Sequence, residues 1–117
     1  MFQVAVLSCR QNNTATAVIN NCTIDADRYA IFTSQGGTIT VNGGVYKGGI
    51  AVISAQDVNS KVIVNSGTFV GELNATGGGT IVINGGTFSV NPSTITGVTI
   101  NGVVSDNGNG TWTVYSN

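Results

Sequence analysis

A chain of 117 residues with a formal charge of −1 is one domain at most. Its nine charged side chains are Arg10, Asp25, Asp27, Arg28, Lys47, Asp57, Lys61, Glu72 and Asp106, and residues 73–105 carry none. The four basic residues are scattered, which argues against nucleic acid as a partner, because phosphate binding needs clustered Lys and Arg. No apolar run approaches the length of about 18 residues that a membrane span requires. Seventeen glycines against a single proline, Pro92, announce many turns and few helices.

In chain order, the opening MFQVAVLSCRQ has too short an apolar stretch, and no basic segment before it, to read as a signal peptide. Its AVLSC (5–9) is the first of a set of similar segments, followed by AIFTS (30–34), AVISA (51–55) and the weaker GELNA (71–75). A second set ends each time on asparagine: TAVIN (16–20), TITVN (38–42), KVIVN (61–65), TIVIN (80–84) and GVTIN (97–101). The asparagines Asn20, Asn42, Asn65, Asn84 and Asn101 are spaced by 22, 23, 19 and 17 residues. Periods near twenty belong to solenoids, in which each repeat buries its apolar face only on its neighbours.

Within the asparagine-terminated segments the alternation has a period of two, which is the strand signal. Ala17/Ile19, Ile39/Val41, Val62/Val64, Ile81/Ile83 and Val98/Ile100 form the constant apolar face and should point inward. Gly43-Gly44, Ser66-Gly67 and Gly85-Gly86 then turn the chain, glycine reaching positive φ without steric cost. A short strand follows each turn, with Ile24, Tyr46, Phe69 and Phe88 as its inward position. For the AVLSC set the expected inward column is Leu7, Phe32, Ile53 and Leu73, with small Cys9, Ser34 and Ala55 beside it.

Three strands per repeat of about twenty residues predict an all-β fold: a parallel β-helix of about five coils over residues 1–101, stacked about 4.8 Å apart. Residues 102–117, with the turn DNGNG (106–110), should form a C-terminal β-hairpin that folds over the last coil. The amino-terminal coil has no comparable cover, and the expectation is that a partner subunit or upstream sequence lies there. Cys9 and Cys22 are read as buried free thiols, a bridge between them being the alternative.

The repeats resemble the right-handed parallel β-helix superfamily of pectate lyases, phage tailspikes and bacterial surface repeat proteins. The tail SDNGNGTWTVYSN resembles the closing hairpin of glycine- and threonine-rich surface proteins of gut bacteria. The resemblance implies an internal asparagine ladder at Asn20, Asn42, Asn65, Asn84 and Asn101, in which stacked carboxamides hydrogen-bond from coil to coil. It covers nearly the whole chain and speaks to fold far more than to function, since such folds host enzymes and inert spacers alike.

Chemistry is sparse. Histidine is absent and neither cysteine belongs to a CxxC pair, which removes His dyads and the usual zinc ligands. No catalytic residue, metal or cofactor is therefore expected. The alternative reading, a pectate-lyase-like glycan-active enzyme, would rest on Asp25, Asp27 and Arg28. A further alternative, a carbohydrate-binding module, would use Trp112 and Tyr115 as glycan contacts, although Trp112 also fits as an end cap. The outward apolar stripes Val18/Ile63/Val82 and Val6/Ile31/Val52 suggest an interface. The expectation is thus a non-enzymatic structural and interaction module, self-associating (as a trimer, for example) or docked on a larger protein or a cell-surface glycan. A virion, as decoration, fibre or tail component, or the bacterial cell surface, as adhesin, is its expected location.

Overall fold

The computed structural model describes residues 7–9 and 16–116. The first coil places β1 (Leu7–Cys9), β2 (Thr16–Ile19) and β3 (Thr23–Ala26) in succession. The second repeats this with β4 (Tyr29–Thr33), β5 (Thr38–Val41) and β6 (Val45–Gly48), and the third with β7 (Ala51–Gln56), β8 (Lys61–Val64) and β9 (Thr68–Val70). β10 (Leu73–Thr76), β11 (Thr80–Ile83) and β12 (Gly86–Phe88) follow, then β13 (Val98–Ile100), β14 (Gly102–Asp106) and β15 (Trp112–Ser116). Like strands stack into three sheets: β1-β4-β7-β10 (sheet I), β2-β5-β8-β11-β13 (sheet II) and β3-β6-β9-β12-β15-β14 (sheet III). Every described pairing is parallel except those of β15. The fold is a β-solenoid of about three turns rather than five: three full turns separate the first and last of the four strands of sheet I, and only sheet II carries a fifth rung of the repeat.

The inward columns of sheets II and III run as their alternation predicts. Ile39, Val41, Val62, Val64, Ile81 and Ile83 are fully buried, as are Tyr46 and Phe88. The rings of Tyr46 and Phe69 stack at 5.2 Å and 11°, those of Phe69 and Phe88 at 5.1 Å and 12°. Burial of each such ring contributes about 1.5–3 kcal/mol, so these columns dominate the stability of the stack. In the first coil Ala17, Ile19 and Ile24 are only half-buried.

Sheet I departs from expectation by one residue. Ile31, not Phe32, stands in the column Leu7–Ile31–Ile53–Leu73, and Thr33, not Ser34, stands between Cys9 and Ala55. A slip of one residue exchanges the two faces of a strand. Ile31 is therefore core, with no exposed surface, while Phe32 is half-exposed and packs on Tyr29 with ring centroids 5.5 Å apart. The turn sets this register: Ile24 to Ile31 and Tyr46 to Ile53 are both seven residues, so the two coils advance identically. Val52 is also fully buried. The backbone of Gly71 lies against it, so closely that a Cβ there would stand 3.2 Å from the Val52 Cβ.

The carboxyl-terminal end is closed by two devices. After β12 the chain forms a 3-10 turn at Pro92–Thr94 where a fifth strand of sheet I would stand, with Asn91 accepting the Ser93 N–H and Pro92 buried. The hairpin caps this end by joining sheet III: β15 inserts between β12 and β14, antiparallel to both, and Val114 enters the core at 3% exposure. Cys22 is an exposed free thiol, so it is neither buried nor bridged to Cys9.

Candidate functional site

The face with the most regular chemistry is the outside of sheet II. Its outward residues fall into columns two positions apart: Thr16–Thr38–Lys61–Thr80, then Val18–Thr40–Ile63–Val82–Thr99. The asparagines form a third column. The backbone pairing carries on into it, with the Asn42, Asn65, Asn84 and Asn101 N–H groups donating to Ile19, Val41, Val64 and Ile83 carbonyls at 2.7–2.9 Å. Three of the interface residues expected from sequence, Val18, Ile63 and Val82, thus share one column, with Val18 63% exposed. The other stripe does not exist as an interface. Ile31 and Val52 are buried, and Val6 lies outside the described residues.

The asparagine side chains form a continuous chain of hydrogen bonds. Asn42 Nδ2 donates to Asn20 Oδ1 at 3.0 Å, Asn65 to Asn42 at 2.9 Å, Asn84 to Asn65 at 2.8 Å and Asn101 to Asn84 at 2.9 Å. All four bonds point the same way, toward the amino-terminal coil. The ladder is not internal as the resemblance implied: Asn84 is half-buried and the other four asparagines are exposed. Tertiary register, not burial, holds these amides in line, since each follows a strand whose neighbours are one coil away. Asn65→Ala removes two of the bonds and is expected to lower stability by about 1–2 kcal/mol. Most exposed substitutions change stability by less than about 0.5 kcal/mol, so a urea-denaturation midpoint equal to wild type would show that the ladder is ornamental.

At the corner between sheets II and III, Tyr46 Oη donates to the Gly43 carbonyl. Burial raises the Tyr46 hydroxyl above its ordinary value of 10.0, and the nearby Cys22 adds to the shift in the same direction. The folded state therefore keeps this proton at a pH where the unfolded chain has released it. Stability from this group is fully present below the unfolded value, near 10.0, and is lost as pH rises through the higher folded value. Unfolding midpoints on either side of that range should fall more for the wild type than for Tyr46→Phe.

Asp25 and Asp27 are both exposed, and Asp25 stands in register with Lys47 on the outer face of sheet III. The Arg28 guanidinium lies over the Tyr29 ring, 6.0 Å from its centroid. Among the described residues no three His, Cys, Asp or Glu side chains are grouped so as to hold a metal ion. Trp112 and Tyr115 occupy opposite faces of β15. Trp112 is in register with Phe88, on the face of β15 that carries the buried Val114, whereas Tyr115 points outward, 58% exposed and in register with Val103. Alternation along one strand keeps the two from forming a single platform.

Of the apolar outer residues of sheet III, only Tyr115 is a candidate from sequence. Val45, Val70, Val103 and Tyr115 are each at least 39% exposed. Their period-two spacing opposite Tyr46, Phe69 and Val114 was the available signal. No family model, curated protein or solved structure matches this chain.

Proposed function

We propose that this chain is a non-enzymatic structural and interaction module, a short rigid solenoid that docks through the outer face of sheet II. The observation that carries this reading is the composition of that face. One column holds the apolar Val18, Ile63 and Val82 between a threonine-rich column and a line of hydrogen-bonded amides, and Lys61 is its one charge. Such a face presents methyl, hydroxyl and carboxamide groups at the fixed spacing of stacked strands, and desolvates at little electrostatic cost. Its partner is a second copy of the chain in a closed oligomer or a larger protein of the same assembly. The β-solenoid form and the likeness of its tail to surface repeat proteins favour a virion or a bacterial cell surface as the setting, within the parallel β-helix superfamily.

Light scattering on a sizing column tests this. A discrete oligomer that returns to monomer in Ile63→Lys, with circular dichroism unchanged, is the expected result. A wild-type monomer at working concentration would remove the self-docking reading. No observation favours the glycan-active alternative at Asp25, Asp27 and Arg28.

A further inference from the structure

Five asparagines in the described chain are followed directly by glycine: Asn42, Asn84, Asn101, Asn107 and Asn109. Asn-Gly pairs are where the backbone nitrogen of the second residue most readily attacks the side-chain amide of the first, since glycine has no Cβ to obstruct the approach. We infer that Asn109 is the site of spontaneous succinimide formation and deamidation in the folded protein, and that the fold protects the other four.

In the reaction the Gly110 backbone nitrogen loses its proton and bonds to Asn109 Cγ, and the Cγ–Nδ2 bond breaks to release ammonia. Water then opens the imide to aspartate or isoaspartate, with no oxidant or reductant required. Two features ready Asn109 for this. Its Oδ1 accepts hydrogen bonds from the Thr111 N–H at 3.2 Å and the Thr111 hydroxyl at 2.6 Å, which polarise the carbonyl and make Cγ more electrophilic. The Gly110 nitrogen has no hydrogen-bond acceptor among the described residues. Gly110 itself, at φ +85°, has open space where a side chain would stand.

The neighbouring pair differs on both counts. The Gly108 N–H is donated to Asp106 Oδ1 at 2.8 Å, and a carboxylate at that distance opposes loss of the proton. Asn107 is also held through Nδ2, which donates to the Thr111 and Thr113 hydroxyls at 3.0 and 2.9 Å. The ladder positions are held more firmly. Asn42 and Asn84 are bonded at both ends of the carboxamide and Asn101 through Nδ2, so Cγ reaches the following nitrogen only by breaking the stack. The ladder thus shields amides that its own sequence would otherwise expose to loss, and hydrolysis falls on the hairpin tip, where it adds a carboxylate and, in the isoaspartate product, an extra backbone methylene as well.

The test is timed incubation of the folded chain in mildly alkaline buffer and, in parallel, in urea, followed by peptide mapping with electron-transfer fragmentation to separate aspartate from isoaspartate. Conversion at Asn109 is expected to run several-fold ahead of Asn107 and of every ladder position in the folded chain, and this ranking should collapse in urea. Asp106→Ala should raise the rate at Asn107 and leave that at Asn109 in place. Equal rates at Asn107 and Asn109 in the folded wild type, or earlier conversion at a ladder position, would overturn the inference.

Discussion

Phe69→Ala is expected to lower the free energy of unfolding by about 3–5 kcal/mol, the usual range for an aromatic removed from a core. Phe69 is 1% exposed and lies between two rings, so its loss strips one face each from Tyr46 and Phe88. Neighbouring coils cannot move in to fill the space, because the backbone pairing of β6, β9 and β12 fixes the distance between them. Domains of this size are stable by about 5–15 kcal/mol, so the variant should approach half-unfolding under conditions where wild type is intact. Phe69→Leu keeps much of the volume and should cost about 1–2 kcal/mol. The check is the urea midpoint of the three proteins at constant slope. A cost below about 1 kcal/mol for the alanine variant would mean that the aromatic column is not the core's main support.

Gly44→Ala should be comparably damaging for a different reason. Gly44 has φ +116°, and a Cβ there would lie 2.2 Å from the Cys22 carbonyl oxygen of the preceding coil and 2.6 Å from Tyr46 Oη. The first of these is backbone, which cannot give way without opening the rung between β3 and β6. Strain from φ of about 1–3 kcal/mol therefore adds to a steric displacement, and a loss of about 3 kcal/mol or more is expected. Gly110→Ala separates the two causes. Gly110 also has positive φ, +85°, but nothing lies within 4 Å of the added atom, so only a conformational penalty of about 1 kcal/mol applies. Equal losses in the two variants, read as thermal midpoints, would show that coil-to-coil contact at Gly44 is unimportant.

The parts of this molecule legible in its sequence are those in which one residue sees the same neighbours in every coil. The column through Ile39, Val62 and Ile81 and that through Tyr46 and Phe69 repeat in composition as well as position, so alternation and spacing identify them. Sheet I was harder because AIFTS offers two bulky apolar residues side by side, and local alternation does not decide between Ile31 and Phe32. The seven-residue step from Tyr46 to Ile53 repeats from Ile24 to Ile31 and selects Ile31, although the next coil, from Phe69 to Leu73, takes only four. Val52 looks like surface from its own strand, because its cover is the Gly71 backbone in the next coil, a contact that no pattern within that strand reveals. The asparagine line was visible as a recurring letter. Its place on the exterior follows from parity, since Asn65 is two residues beyond the outward Ile63.

The placement of β15 between β12 and β14 has a consequence for polymerisation. Sheet II ends at its fifth strand while sheet III continues to a sixth, so the finished end is a step one strand spacing high, about 4.8 Å. An arriving copy would present β2 and β3, which begin their sheets at the same level. Seated on β13, its β3 would collide with β14; seated on β14, its β2 would hang one rung short of β13. Among the described strands, sheets II and III therefore cannot both be continued in register at this end, a mismatch built from a single reversed strand.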